Sequence, residues 1–213
     1  MEIVKQLLGG KPHMVRRVAV LFFSVFMMGV CVAILDQLGF GTDPCSVLNL
    51  GMSRLIGWSF GNYQLVFNVL LIAIILLLKE ARRIGLGTLA NMVVVGYAAD
   101  FTTWIINMIH PLYNETMAVK LMVFVPTIVV FMVAAAFYMV VELGVAPYDA
   151  LPQIISSRVK KIGFTPIRIG WDVAATVIGY LVGGTVGMVT IIMGFFLGPI
   201  ISATAKKFRK LFE

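Results

Sequence analysis

The second half of this chain restates the first, and that repeat constrains the fold more than any other feature. Gly41-Thr42-Asp43-Pro44-Cys45-Ser46-Val47-Leu48 follows one long apolar segment, and Gly144-Val145-Ala146-Pro147-Tyr148-Asp149-Ala150-Leu151 follows another. Further on, Gly85-Leu86-Gly87-Thr88-Leu89 with Gly96 corresponds to Gly187-Met188-Val189-Thr190-Ile191 with Gly198. Gly41 and Gly144 stand 103 positions apart and Gly85 and Gly187 stand 102 apart, so the halves keep register. Paired motifs set in an oily chain point to a membrane protein with two pseudo-symmetric halves, an architecture common among transporters.

Composition identifies the solvent. The chain is 60% hydrophobic and 13% charged, against about 25% charged in a soluble domain. There is too little polar side chain to coat a water-facing surface. The 213 residues leave room for a single membrane domain over 1–213, with repeat 1 at about 14–110 and repeat 2 at about 118–210.

A helix needs about 20 mostly apolar residues to cross the hydrocarbon. Six stretches qualify: 17–38, 60–79, 84–109, 119–142, 164–183 and 187–205. Gly187, Gly194, Gly198 and Pro199 make the last the weakest. Two further segments, 42–57 and 147–161, are too short or too polar to span, and each starts just after a proline-containing turn. The expected fold is therefore an all-α integral membrane protein. It has six transmembrane helices as two inverted three-helix repeats, each with a short half-helix after its first span.

The cations set the orientation. All but Arg54, Lys120 and Arg168 of the 17 Lys and Arg fall in four clusters: Lys5/Lys11/Arg16/Arg17, Lys79/Arg82/Arg83, Arg158/Lys160/Lys161 and Lys206/Lys207/Arg209/Lys210. With six spans and a cytoplasmic N-terminus, all four clusters lie inside, as the positive-inside rule requires. The net charge of +7 is then an orientation signal and an attraction to anionic inner-leaflet lipid, with no nucleic-acid partner needed. The expected location is a bacterial inner membrane, multi-pass, with both termini cytoplasmic. Three crossings per half turn the second half over relative to the first. The short segments then sit on opposite sides, either re-entering beside a central cavity or lying in the interface as amphipathic helices.

Ionisable residues within a span are costly and are functional candidates. Asp172 lies near the middle of the fifth span and Asn68 near the middle of the second, at roughly equivalent repeat positions. Together they suit a polar solute or a proton. Arg168 precedes Asp172 by one helical turn, close enough to pair, so a structural ion pair is the competing reading. Asp100 in the third span either faces a cavity or is hydrated at the outer interface. Asp43 is placed to cap a helix beginning at Pro44, and Asp149 falls in the first turn of the second short helix, where the dipole favours a carboxylate. If these helix ends instead face a solute, the carboxylates already there favour a cation or proton over an anion.

Gly179 and Gly183, and Gly194 and Gly198, are small-xxx-small pairs, used for packing within the chain or for a homo-oligomer. Cys31 and Cys45 form no metal framework. No nucleophile–base pair, Walker loop or dinucleotide fingerprint stands in context, so the expectation is a non-enzyme without cofactor or metal.

Leu38-Gly39-Phe40-Gly41-Thr42-Asp43-Pro44, Ser59-Phe60-Gly61, Ile84-Gly85-Leu86-Gly87-Thr88, Gly144 to Leu151 and the glycine-rich 183–198 stretch together resemble the YitT/YczE family of small multi-pass bacterial membrane proteins, over about residues 14–208. One departure is Val-Ala-Pro at 145–147, where many such sequences have another glycine. The resemblance implies an integral inner-membrane protein and supplies no catalytic residues. The expected function is transport of a small polar solute, with proton coupling at Asp172 and the site at the repeat interface. The alternative is a non-transporting membrane partner or regulatory subunit of another membrane protein.

Overall fold

The computed structural model describes residues 13–159 and 161–194. Gly198, Pro199, the last basic cluster and most of the 187–205 stretch lie outside the described residues. Every regular element among the described residues is helical. Four helices are long and apolar enough to cross a membrane: α1 (Met14–Leu38), α3 (Phe60–Leu77), α4 (Leu86–Ile109) and α5 (Met117–Val140). Between them stand two short helices, α2 (Pro44–Ile56) and α6 (Pro147–Arg158). Helix α7 (Phe164–Leu181) has 18 residues and carries Arg168 and Asp172. A last helical segment starts at residue 188.

Local chemistry explains the breaks. Helix α1 ends at Gly39, whose φ of 75° is left-handed and whose N–H donates to the Asp36 carbonyl. Asp43 then caps α2 by accepting from the Ser46 N–H, and Pro44 occupies the first turn, where its missing N–H costs nothing. Helix α2 has 13 residues and α6 has 12. At 1.5 Å per residue each reaches about 20 Å, short of the ~30 Å hydrocarbon thickness.

The helices pack across the two halves. Helix α1 lies between α4 and α5; α2 packs chiefly on α7, and α6 on α3 and α7. Each half-helix therefore rests on a long helix of the other half. Both are embedded: Val47, Asn49 and Gly51 of α2 and Tyr148, Ala150 and Ile154 of α6 are buried. A Cβ on Gly51 would come within 2.6 Å of the Gly179 carbonyl oxygen. One glycine of the 179/183 pair is thus an intramolecular contact. Gly183 does something different: its φ of 92° turns the chain after α7, with no neighbour near its Cβ position.

The repeated glycine motifs meet each other's halves. Gly87 N–H donates to the Leu143 carbonyl at 2.7 Å, and Val189 N–H donates to the Phe40 carbonyl at 3.1 Å. Thr88 Oγ1 accepts from Gly85 N–H and Thr190 Oγ1 from Gly187 N–H. Gly41 and Gly144 have φ of 82° and 124°. A Cβ on Gly41 would strike the Gly187 nitrogen and Thr190 Oγ1, and one on Gly144 would strike Thr88 Oγ1 and the Gly85 nitrogen. Outward, Phe23, Leu70, Leu77, Ile109 and Met122 are exposed, a surface suited to hydrocarbon rather than water.

Candidate functional site

The N-termini of α2 and α6 open onto one cavity of about 530 Å³ between the halves, within the size range of small-ligand pockets. Asp43, Asn68, Asp149, Arg168 and Asp172 all line it. Five of the six residues singled out from the sequence are therefore brought together. Asp100 is not among the lining residues; its carboxylate accepts from the Gly61 N–H at 2.9 Å, at the start of α3, and so serves the helix terminus.

Arg168 organises the second-half wall. Its Nε donates to Asp172 Oδ2 at 2.8 Å, and its Nη1 to Asp149 Oδ1 at 2.5 Å. The first contact follows from i,i+4 spacing on α7; the second ties α7 to the first turn of α6. The Tyr148 hydroxyl donates to Asp172 Oδ1 at 2.8 Å, so both Asp172 oxygens are engaged. The Arg168 guanidinium also lies over the Tyr148 ring, 5.5 Å from its centroid, a cation–π contact that holds it in place. Charges this deep persist only when paired and hydrogen-bonded, and here they form one network.

The first-half wall is amide in character. On α3, Asn68 Nδ2 donates to the Gln64 carbonyl at 2.8 Å, and Gln64 Nε2 donates to the Asn91 carbonyl at 3.5 Å. Asn91 opens a π-helical turn, Asn91–Val95, inside α4; such turns recur at functional sites. Tyr148, Gln64 and Asn91 were not singled out by sequence reasoning. Gln64 carried a signal, standing one turn before Asn68 on the same face. Asn91, polar within an apolar span, carried another. The role of Tyr148 depends on α6 packing against α7, which local sequence does not reveal. The rest of the cavity is apolar, with Val32 of α1, Phe131 of α5 and Met193 among its lining residues. Among the described residues, no group of three or more His, Cys, Asp or Glu is placed to hold a metal ion.

Comparison with known proteins gives the chain a family. The family of unknown function DUF6198 matches residues 15–206. A Haemophilus influenzae protein named only as uncharacterized is 24% identical over 187 residues, covering 87% of this chain and 82% of its own. The uncharacterized protein YyaS of Bacillus subtilis is 25% identical over 138 residues, covering 65% and 67%. The uncharacterized membrane protein YczE of Bacillus subtilis is 22% identical over 194 residues, covering 90% and 86%. No solved structure matches the chain. The similarity to YczE bears out the YitT/YczE resemblance read from the motifs. This chain is a helical membrane protein and belongs to the family of unknown function DUF6198.

Proposed function

We propose that this protein is a permease for a small polar solute in a bacterial inner membrane, with six spans in two inverted repeats, both termini cytoplasmic, and its solute site in the interhelical cavity. The observation that carries the reading is the convergence of both half-helix N-termini on a 530 Å³ space with polar groups from α3, α4, α6 and α7. Half-helices meeting at an interhelical cavity are how many transporters build a midplane site. The paired contacts Gly87–Leu143 and Val189–Phe40 support the two-fold relation. The distribution of Lys and Arg supports the orientation, and the bacterial relatives support the location.

Helix α7 is the least apolar of the proposed spans. Its two charged side chains, Arg168 and Asp172, face the cavity, while Val173, Val177, Ile178 and Leu181 face outward. It therefore presents an apolar surface to lipid despite its modest average. Proton coupling at Asp172 extends the reading: in proteoliposomes Asp172→Asn removes the pH dependence of flux, and unchanged pH dependence ends that extension. The partner-subunit alternative drew on glycine seams, and the Gly51–Gly179 contact assigns one of them to packing within the chain.

The test is a thermal-unfolding screen of the purified protein against amino acids, sugars, vitamins, nucleobases and inorganic ions. A solute at 100 times its Kd stabilises by about 2.7 kcal/mol, which is readily measured. No concentration-dependent shift across the panel, from a protein that unfolds cooperatively, would overturn the reading.

A further inference from the structure

We infer that the cavity binds an organic cation, an amine or guanidine with an apolar body; the inference rests on the permease reading and narrows its solute class. Charge is the first argument. The lining holds the carboxylates Asp43, Asp149 and Asp172 against the single guanidinium Arg168, three against one, and among the described residues Asp43 has no cationic partner. Arg168 is already committed to Asp149 and Asp172. Among the described residues the Asp43 carboxylate is met by Ser46 alone, through its backbone N–H and its hydroxyl, neither of which carries a charge. An uncompensated carboxylate in a mostly apolar cavity is costly, and a proton or a cationic ligand relieves that cost.

The amides give a second, independent argument. A carbonyl oxygen only accepts, so Asn68 must turn Nδ2 toward the Gln64 carbonyl, and Gln64 must turn Nε2 toward the Asn91 carbonyl. Among the described residues, their oxygens remain to accept, beside the second N–H of each amide. Asn68 is 3% exposed and Asn91 is 9% exposed. Among the described residues, neither Asn68 Oδ1 nor any atom of the Asn91 side chain has a hydrogen-bond partner, and both residues line the cavity. These amide atoms are not sealed off by the fold: they reach the open space of the cavity, where a ligand can meet them. The carboxylates of one wall and the amide oxygens of the other all accept, so a ligand bearing N–H donors can meet both walls. The apolar wall at Val32, Phe131 and Met193 excludes a bare metal ion as the natural fit and accommodates a hydrocarbon body.

The experiment uses the full-length protein purified in detergent and three probes of one shape: cyclohexylammonium, cyclohexanol and cyclohexanecarboxylate. Agmatine, choline and sodium chloride are run alongside, with thermal unfolding and calorimetric titration as readouts. Expected is saturable binding of at least one organic cation, with no binding of the neutral or anionic ring. Asp43→Asn keeps a residue that caps a helix as well as aspartate does, so α2 stays formed while the charge is lost. It should weaken cation binding on the order of thirtyfold. Asn91→Leu should weaken it less while the protein still unfolds cooperatively. Binding of a neutral or anionic solute in preference to cations overturns this inference and leaves the permease reading standing. Binding of sodium alone also overturns it. Cation binding unaffected by both substitutions moves the ligand out of this cavity and overturns it as well. Absence of any binding, here and in the wider solute screen, overturns both.

Discussion

In the first half, α2 begins at Pro44 behind a carboxylate cap, Asp43, with Ser46 three positions later. In the second, α6 begins at Pro147 behind Ala146, which makes no side-chain cap, and the acid stands three positions on, at Asp149. Across the 103-residue offset the carboxylate has changed places with a neutral residue. The long helices facing these turns differ in the same way. Helix α3 offers Gln64 and Asn68, and α7 offers Arg168 and Asp172, each pair four residues apart. The glycine turns differ little, because there backbone meets backbone and no side chain fits. The comparison separates two kinds of residue: the Gly41/Gly144, Gly85/Gly187 and Thr88/Thr190 pairs, which hold the halves together and are the same in both, and those that face the cavity and give its walls different chemistry.

The sharpest way to break this division is at the turns. Gly144→Val forces a side chain into a backbone at φ 124° and against Thr88 and Gly85. It should destabilise by about 3 kcal/mol, and Gly41→Val, against Gly187 and Thr190, by a similar amount. Gly170→Val, with no neighbour near its Cβ position, should change stability by less than about 0.5 kcal/mol. Thermal unfolding in one detergent compares all three.

Next come the walls. Arg168→Met strands Asp149 and Asp172 and should cost about 3 kcal/mol. Gln64→Met loses one amide hydrogen bond and should cost about 1 kcal/mol. Neutralising the network as a set, with Asp149→Asn, Arg168→Gln and Asp172→Asn together, should recover most of the Arg168→Met loss, since removing all charges avoids an unpaired one. Equal costs for Arg168→Met and Gln64→Met would erase the distinction between ionic and amide walls.

A smaller effect is expected at the cap. Asp43→Ala should cost about 1 kcal/mol and Asp43→Asn a few tenths.

The smallest effect lies in the basic loop before α4. Glu80 experiences some desolvation, which raises its pKa, but Arg82 and Arg83 outweigh it and hold the carboxyl below its ordinary value of 4.5. A carboxyl held low in the folded state stabilises above its unfolded pKa, and that contribution is lost as pH falls through the folded value. Glu80→Gln should therefore flatten the acid limb of a stability–pH profile below about pH 4.5 and leave the neutral region nearly unchanged. The Arg82 side chain is water-exposed, so added salt should shrink the difference.

Much of this was legible from local chemistry. The cap at Asp43, the proline starts of α2 and α6, and the Arg168–Asp172 pairing follow from spacing along one helix or turn. Four long apolar helices follow from hydropathy, while α7 is disguised because its charges face inward. The link from Arg168 to Asp149, the Tyr148 hydroxyl on Asp172 and the approach of Asn91 to Gln64 join residues distant in sequence. No local period encodes those contacts. Asp100 illustrates the reverse: its position in a span marked it as a candidate, and only the packing of α3 against α4 shows that it serves Gly61.

The central claim is that the two halves are inverted, so that α2 and α6 reach the cavity from opposite sides of the membrane. Trp58 and Lys161 are exposed residues just past the two half-helices, at equivalent positions 103 apart. With Cys31→Ala and Cys45→Ser removing the native thiols, Trp58→Cys and Lys161→Cys are treated separately with a membrane-impermeant thiol reagent on intact cells. The account predicts labelling of Trp58→Cys in intact cells and of Lys161→Cys only after permeabilisation. Labelling of both from the same side would contradict it.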